Sequence, residues 1–132
     1  MNKVQKTEVE WQKELDSESY NVLRKKGTER AFSGKFVNNK SSGMYSCKGC
    51  GLELFNSGSK FDSGTGWPSF SDVANSSNVK LISDNSHFMK RVEVVCSRCG
   101  GHLGHVFEDG PKEKGGKRYC INSCSLEFEG EK

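Results

Sequence analysis

The chain has 132 residues, about one ordinary domain, and only 33% of them are hydrophobic, so its core is expected to be thin. No apolar run approaches the ~18 residues of a membrane span. Lys and Arg number 20 against 17 Asp and Glu, and a net charge of +3 is too balanced to announce nucleic acid as a partner. The first fifteen residues are charged and lack an apolar stretch of signal-peptide length. A cytoplasmic protein is therefore expected, or one of an organelle matrix if a transit peptide has been removed. In such compartments the six cysteines point to metal binding or catalysis rather than to three disulfides.

The first thirty residues read as a helical arm. Thr7 followed by Glu10 is a capping box, and Val9, Trp11 and Leu15 supply a short apolar stripe. A second start lies at Asp16-Ser17, with Tyr20 and Leu23 on one face. It stops at Arg24, Lys25 and Lys26, with Gly27 at the C′ position. After Gly34 short β-type runs take over: 43–47, 52–55, 79–83, 91–96, 104–108, 117–122 and 126–129. The stretch 57–77 is poor in branched apolar residues and reads as a long functional loop carrying Phe61, Trp67, Pro68 and Phe70. The expected division is a tail at 1–7 and a single domain at 8–130. Within that domain an arm covers 8–33 and a mainly antiparallel β core covers 34–130.

Cys47-Lys48-Gly49-Cys50 and Cys96-Ser97-Arg98-Cys99 are two CxxC pairs, each followed at once by glycine, Gly51 and Gly100. Two residues between thiolates let one tight turn present both sulfurs to a tetrahedral ion, and the glycine permits the positive φ that the turn requires. Together they predict one structural zinc in a closed shell of four thiolates that joins two distant hairpins. Such a shell has no open position for chemistry, so function must lie elsewhere.

The segment His102–Phe107 is followed by a turn signal at Asp109-Gly110-Pro111 and then by 117–122. Read as a hairpin closed by Glu108 and Lys117, it places Val106, Tyr119 and Ile121 on a core face. His105, Phe107, Arg118, Cys120 and Asn122 fall on the other face, with His105 directly opposite Cys120. A thiol among an imidazole, a guanidinium and an amide is a candidate nucleophile, because positive charge and donors favour the thiolate. His102 and His105 read as acid/base groups rather than metal ligands. His87 carries no role.

The chain closely resembles the methionine-R-sulfoxide reductase family (MsrB, or SelR). The resemblance rests on Thr28-Glu29-Arg30, Phe32-Ser33-Gly34, Gly66-Trp67-Pro68-Ser69-Phe70, both CxxC pairs, 102–107 and 118–123. It implies a mainly β fold of two small antiparallel sheets stapled by the four-cysteine zinc site, with a short helical N-terminal arm. It also implies reduction of the R epimer of methionine sulfoxide, chiefly in oxidised proteins or peptides, through a sulfenic acid. Recycling would fall to thioredoxin, glutaredoxin or a small thiol, and the protein would be a monomer that uses neither nucleic acid nor a membrane. Matched to this sequence, Cys120 is the nucleophile, and His102, His105 and Asn122 are the polar pocket. Arg118 favours the thiolate, and Trp67 with Phe107 forms the substrate wall. Many members carry a resolving cysteine where this chain has Thr65; Cys124 is the alternative offered. A zinc-ribbon binding module without catalysis is the competing reading, but it leaves Cys120, the histidines and Trp67 unexplained.

Overall fold

The computed structural model describes residues 3–85 and 89–131, so His87 lies outside the described residues. Helix α1 (Glu8–Glu14) begins at the capping box: the Glu10 N–H donates to the Thr7 hydroxyl and the Thr7 N–H to the Glu10 carboxylate. Helix α2 (Ser17–Lys25) is capped by Asp16, which accepts from the Ser19 N–H. Two local expectations are corrected. Val9 is exposed, because two residues of helix turn it about 200° away from Trp11. The left-handed residue that ends α2 is Lys26, with φ 60°, and not Gly27. The glycine serves another purpose, since a Cβ at Gly27 would collide with the Asn21 side chain.

Among the described residues nine strands follow: β1 (Gly43–Cys47), β2 (Glu53–Asn56), β3 (Lys60–Phe61), β4 (Ser69–Phe70), β5 (Val79–Asp84), β6 (Arg91–Cys96), β7 (His102–Phe107), β8 (Arg118–Ile121) and β9 (Leu126–Gly130). They form two antiparallel sheets, ordered β2-β1-β9 and β3-β4-β8-β7-β6-β5. The seven longer strands match the predicted runs within two residues at each end. Strands β3 and β4 lie inside the stretch expected to be irregular, and two residues are too few for alternation to reveal. Phe70 of β4 is consequently core, fully buried.

The two sheets meet through aromatic side chains. Phe70 stacks on Phe55 at 4.4 Å and meets Tyr45 edge-on at 5.2 Å, while Phe55 also approaches Tyr119 at 5.8 Å. Leu54, Val94, Leu103, Ile121 and Leu126 fill the remaining space and are fully buried. Aromatic rings bury about 150–250 Å² each, so a few of them compensate for a thin apolar inventory.

The second link between the sheets lies at the cysteine pairs, which end β1 and β6 and so belong to different sheets. The arm packs here. The Arg24 Nη1 donates to the Cys99 carbonyl at 2.9 Å while its guanidinium lies over the buried Trp11 ring. No described helix is long and apolar enough to cross a membrane.

Candidate active site

All six cysteines are free thiols, so a three-disulfide scaffold is excluded. Four of them converge: the sulfurs of Cys47, Cys50, Cys96 and Cys99 all lie within 4.8 Å of one another. The Cys47–Cys99 and Cys50–Cys96 separations are 3.7 and 3.5 Å. Sulfurs ~2.3 Å from a common tetrahedral centre would lie ~3.8 Å apart, so the cluster has the dimensions of a metal–thiolate shell. The two turns are built alike. The Gly51 and Gly100 N–H groups donate at 2.8 Å to the Cys47 and Cys96 carbonyls, with φ of +80° and +75°. The donor set fits a soft divalent metal, and no fifth ligand group is needed.

The second centre grows from the β7–β8 pairing. Gly104 pairs with Ile121, His105 with Cys120, Val106 with Tyr119 and Phe107 with Arg118, which is the register read from the sequence. Val106, Tyr119 and Ile121 are buried on the core side. Cys120 faces the other way into a cavity of about 200 Å³ whose lining includes Thr65, Trp67, His105, Phe107, Arg118 and Asn122.

Each polar group there is held by a partner that short-range patterns did not reveal. His105 Nε2 donates to Asp84 Oδ2 at 2.8 Å, because a carboxylate can only accept, and Arg91 reaches the same oxygen at 3.3 Å. Arg118 forms a two-pronged pair with Asp109, at 2.9 and 3.1 Å, and lies over the Phe107 ring at 4.6 Å. The Asn122 amide donates to the Leu103 carbonyl and accepts from the Glu29 N–H. Trp67 is fixed by its indole N–H, which donates to the Glu29 carbonyl at 2.9 Å. Glu29 is thus the hub of the site: the backbone of this one residue orients both Trp67 and Asn122. Its signal in the sequence is the Thr28-Glu29-Arg30 motif, which carried no assigned role.

His102 lies three residues before His105, and in a regular strand the two would face opposite sides. A bulge corrects this. The β6–β7 register shifts so that Val95 pairs with His102, and the two imidazoles end 5.4 Å apart on one face. His102 is buried and donates from Nδ1 to Glu93 Oε2 at 2.7 Å. It lines a neighbouring cavity, not the one that holds Cys120. Both histidines therefore have a carboxylate partner, which their spacing in the sequence does not reveal. Among the described residues these side chains do not form a metal-binding group of three or more.

Two thiols remain. Burial pushes the Cys120 thiol above its usual range, while Arg118 and a hydrogen bond with Thr65 pull it back down. Desolvation outweighs the pull of Arg118. Thr65, the position of the missing resolving cysteine, thus touches Cys120, and it continues through Ser63 to Ser69 as a chain of hydroxyl contacts at 2.7 and 2.8 Å. The chain does turn after Asn122, into a single 3₁₀ turn at Ser123–Ser125. Cys124 then lines a different cavity, of about 320 Å³, beside α2. Burial and the Glu29 carboxylate push its thiol far up, which makes it a poor nucleophile.

Comparison with known proteins agrees with this geometry. The model of the SelR domain matches residues 15–130. The chain is 64% identical over 127 residues to the peptide methionine sulfoxide reductase MsrB of Methanosarcina mazei, covering 96% of this chain and 90% of that one. It is 63% identical over 128 residues to the MsrB of Methanosarcina barkeri, covering 97% and 89%. The MsrB of Acinetobacter baylyi is 55% identical over 128 residues, covering 97% and 91%. The chain belongs to the SelR (MsrB) family.

Burial gives His102 a measurable signature. Desolvation lowers its pKa, and the attraction of Glu93 only partly offsets this. The unfolded imidazole takes its proton near pH ~6.5 and the folded one only below that. Stability should therefore be highest above pH ~6.5 and fall as the pH drops through this window toward the folded midpoint. NMR titration of the imidazole resonances checks it; a His102 midpoint above ~6.5 would contradict the assignment.

Proposed function

We propose that this chain reduces the R epimer of methionine sulfoxide, in oxidised proteins and peptides, to methionine. The observation that carries the reading is the cavity in which Cys120 faces His105 across one strand pair, with Trp67 and Phe107 as its apolar walls. A sulfoxide offers a pyramidal sulfur, a polarised oxygen and an apolar methyl group. The Cys120 sulfur attacks the sulfoxide sulfur, the oxygen transfers to Cys120, and methionine leaves. The thiol proton suffices for the balance: thiol plus sulfoxide gives sulfenic acid plus thioether, with cysteine oxidised and methionine reduced by two electrons. Since burial keeps Cys120 protonated, deprotonation is coupled to attack. His105, with Asp84 holding its Nε2–H, is the group placed to move that proton toward the oxygen. Asn122 and Arg118 orient and polarise the oxygen, Trp67 receives the methyl, and His102 backs His105.

The sulfenic acid is returned to the thiol by an external thiol: thioredoxin, glutaredoxin or a small thiol. Two thiols are consumed, giving a disulfide and water. Thr65 has no sulfur to offer, and Cys124 opens to another cavity with its thiol held protonated, which supports direct reduction over an internal disulfide. The protein works as a cytoplasmic monomer.

Cys47, Cys50, Cys96 and Cys99 would hold one zinc. Bound there, zinc supplies no chemistry to the reaction; it fixes the end of β1 against the end of β6.

Two outcomes test these assignments. Cys120→Ser should reduce methionine-R-sulfoxide at background rate while keeping its zinc and melting temperature, measured by an epimer-resolved assay with dithiothreitol. Substantial residual activity, or a preference for the S epimer in the unaltered chain, would refute the reading. Cys47→Ser should lose metal and melt at lower temperature, because zinc binding and folding share one free energy. Elemental analysis giving well under one zinc per freshly purified, never-chelated chain would overturn the zinc assignment.

A further inference from the structure

The row of paired residues that contains Cys120 and His105 continues across the sheet. Cys120 pairs with His105, His105 with Glu93, and Glu93 with Ile82 of the edge strand β5. Directly opposed residues share a face, so all four belong to the active-site side of the sheet. Glu93 is buried beneath His102 and Lys26, but Ile82 is 45% exposed. Three strand spacings of ~4.8 Å put it ~14 Å from Cys120.

At this far end lies the cavity that His102 floors, about 590 Å³ in volume. Its charged lining is one-sided: Lys3, Arg24, Lys26, Lys80 and Arg98 against Glu93 alone. Glu93 is already engaged by His102 and Lys26. Arg24 and Arg98 each donate to a carbonyl of the cysteine turns, and a zinc–thiolate shell behind them would still leave cations in excess. Lys3 and Lys80 face one another closely enough that Lys80 depresses the Lys3 pKa. Like charges crowded at the rim of an open cavity favour an anionic occupant.

We propose that this basic cavity is a subsite for the flanking sequence of the substrate, taking an acidic side chain about four residues from the methionine sulfoxide held at Cys120, since an extended chain rises ~3.3 Å per residue. The inference rests on the reductase reading and adds a sequence preference to it. The flank crosses from the Cys120 cavity past the segment carrying Thr28 and Lys26, which border the Cys120 cavity and the basic cavity respectively, and over Ile82. Its carboxylate then meets Lys80, Lys26 and Lys3.

The test uses the full chain with dithiothreitol as reductant and blocked peptides that place Asp or Lys four residues before or after methionine-R-sulfoxide. N-acetyl-methionine-R-sulfoxide amide, too short to reach the cavity, monitors the reaction itself. In one of the two orientations kcat/KM should favour Asp over Lys by about three- to ten-fold at low salt, in keeping with exposed charge pairs, and the ratio should shrink near ~0.5 M salt. Lys80→Glu should bring that ratio to one or below. Equal kcat/KM for all peptides, or a preference that survives Lys80→Glu, would overturn the subsite. If Lys80→Glu leaves the peptide ratio unchanged and alters only the KM for thioredoxin, the cavity belongs to the reducing protein and the proposal also fails. Failure to reduce the blocked amino acid would instead refute the reductase reading itself.

Discussion

The pairing of β7 with β8 is the constraint from which the site follows. Side chains alternate along both strands, so burying Val106, Tyr119 and Ile121 in the core obliges His105, Phe107, Arg118 and Cys120 to face outward together. A slip of one residue would put the apolar set into water, and core burial is worth ~1.5–3 kcal/mol per large side chain. The packing energy that folds the sheet thus also sets the distance between thiol and imidazole. The same logic extends sideways, because β4, β6 and β5 pair in register with this hairpin and carry Ser69, Glu93 and Ile82 along one row.

The environment of Cys120 combines opposing effects. A half-enclosed cavity desolvates the sulfur and raises its pKa, while Arg118 and Thr65 act in the opposite direction. Arg118 is itself tied to Asp109, so part of its charge is already neutralised by that carboxylate. A thiol whose pKa is raised is less exposed to indiscriminate oxidation, because oxidants react with the thiolate.

What the sequence disclosed were features with short-range signatures. The capping box at Thr7, the CxxC-Gly turns and the alternation of β7 and β8 each depend on a few neighbouring residues, and all are present. The family motifs also singled out Trp67 and Asn122, which line the same cavity as Cys120. The carboxylates were hidden for a tertiary reason. Asp84 reaches His105 only across the regular β5–β6–β7 pairing, and Glu93 reaches His102 only because the bulge between β6 and β7 brings that imidazole to the same face. Glu29 is more distant still, 93 residues before the Asn122 it holds. The turn at Ser123–Ser125 was permitted by its serines without being demanded by them, and it sends Cys124 toward α2 instead of toward Cys120.

The two thiols make the central claim directly measurable. Reduced protein, freed of reductant, is given one equivalent of methionine-R-sulfoxide, treated with dimedone and digested for mass spectrometry. One methionine should form per chain, and the dimedone adduct should sit on Cys120 with Cys124 still a free thiol. A stoichiometric Cys120–Cys124 disulfide, or methionine formed while Cys120 remains unoxidised, would contradict the account.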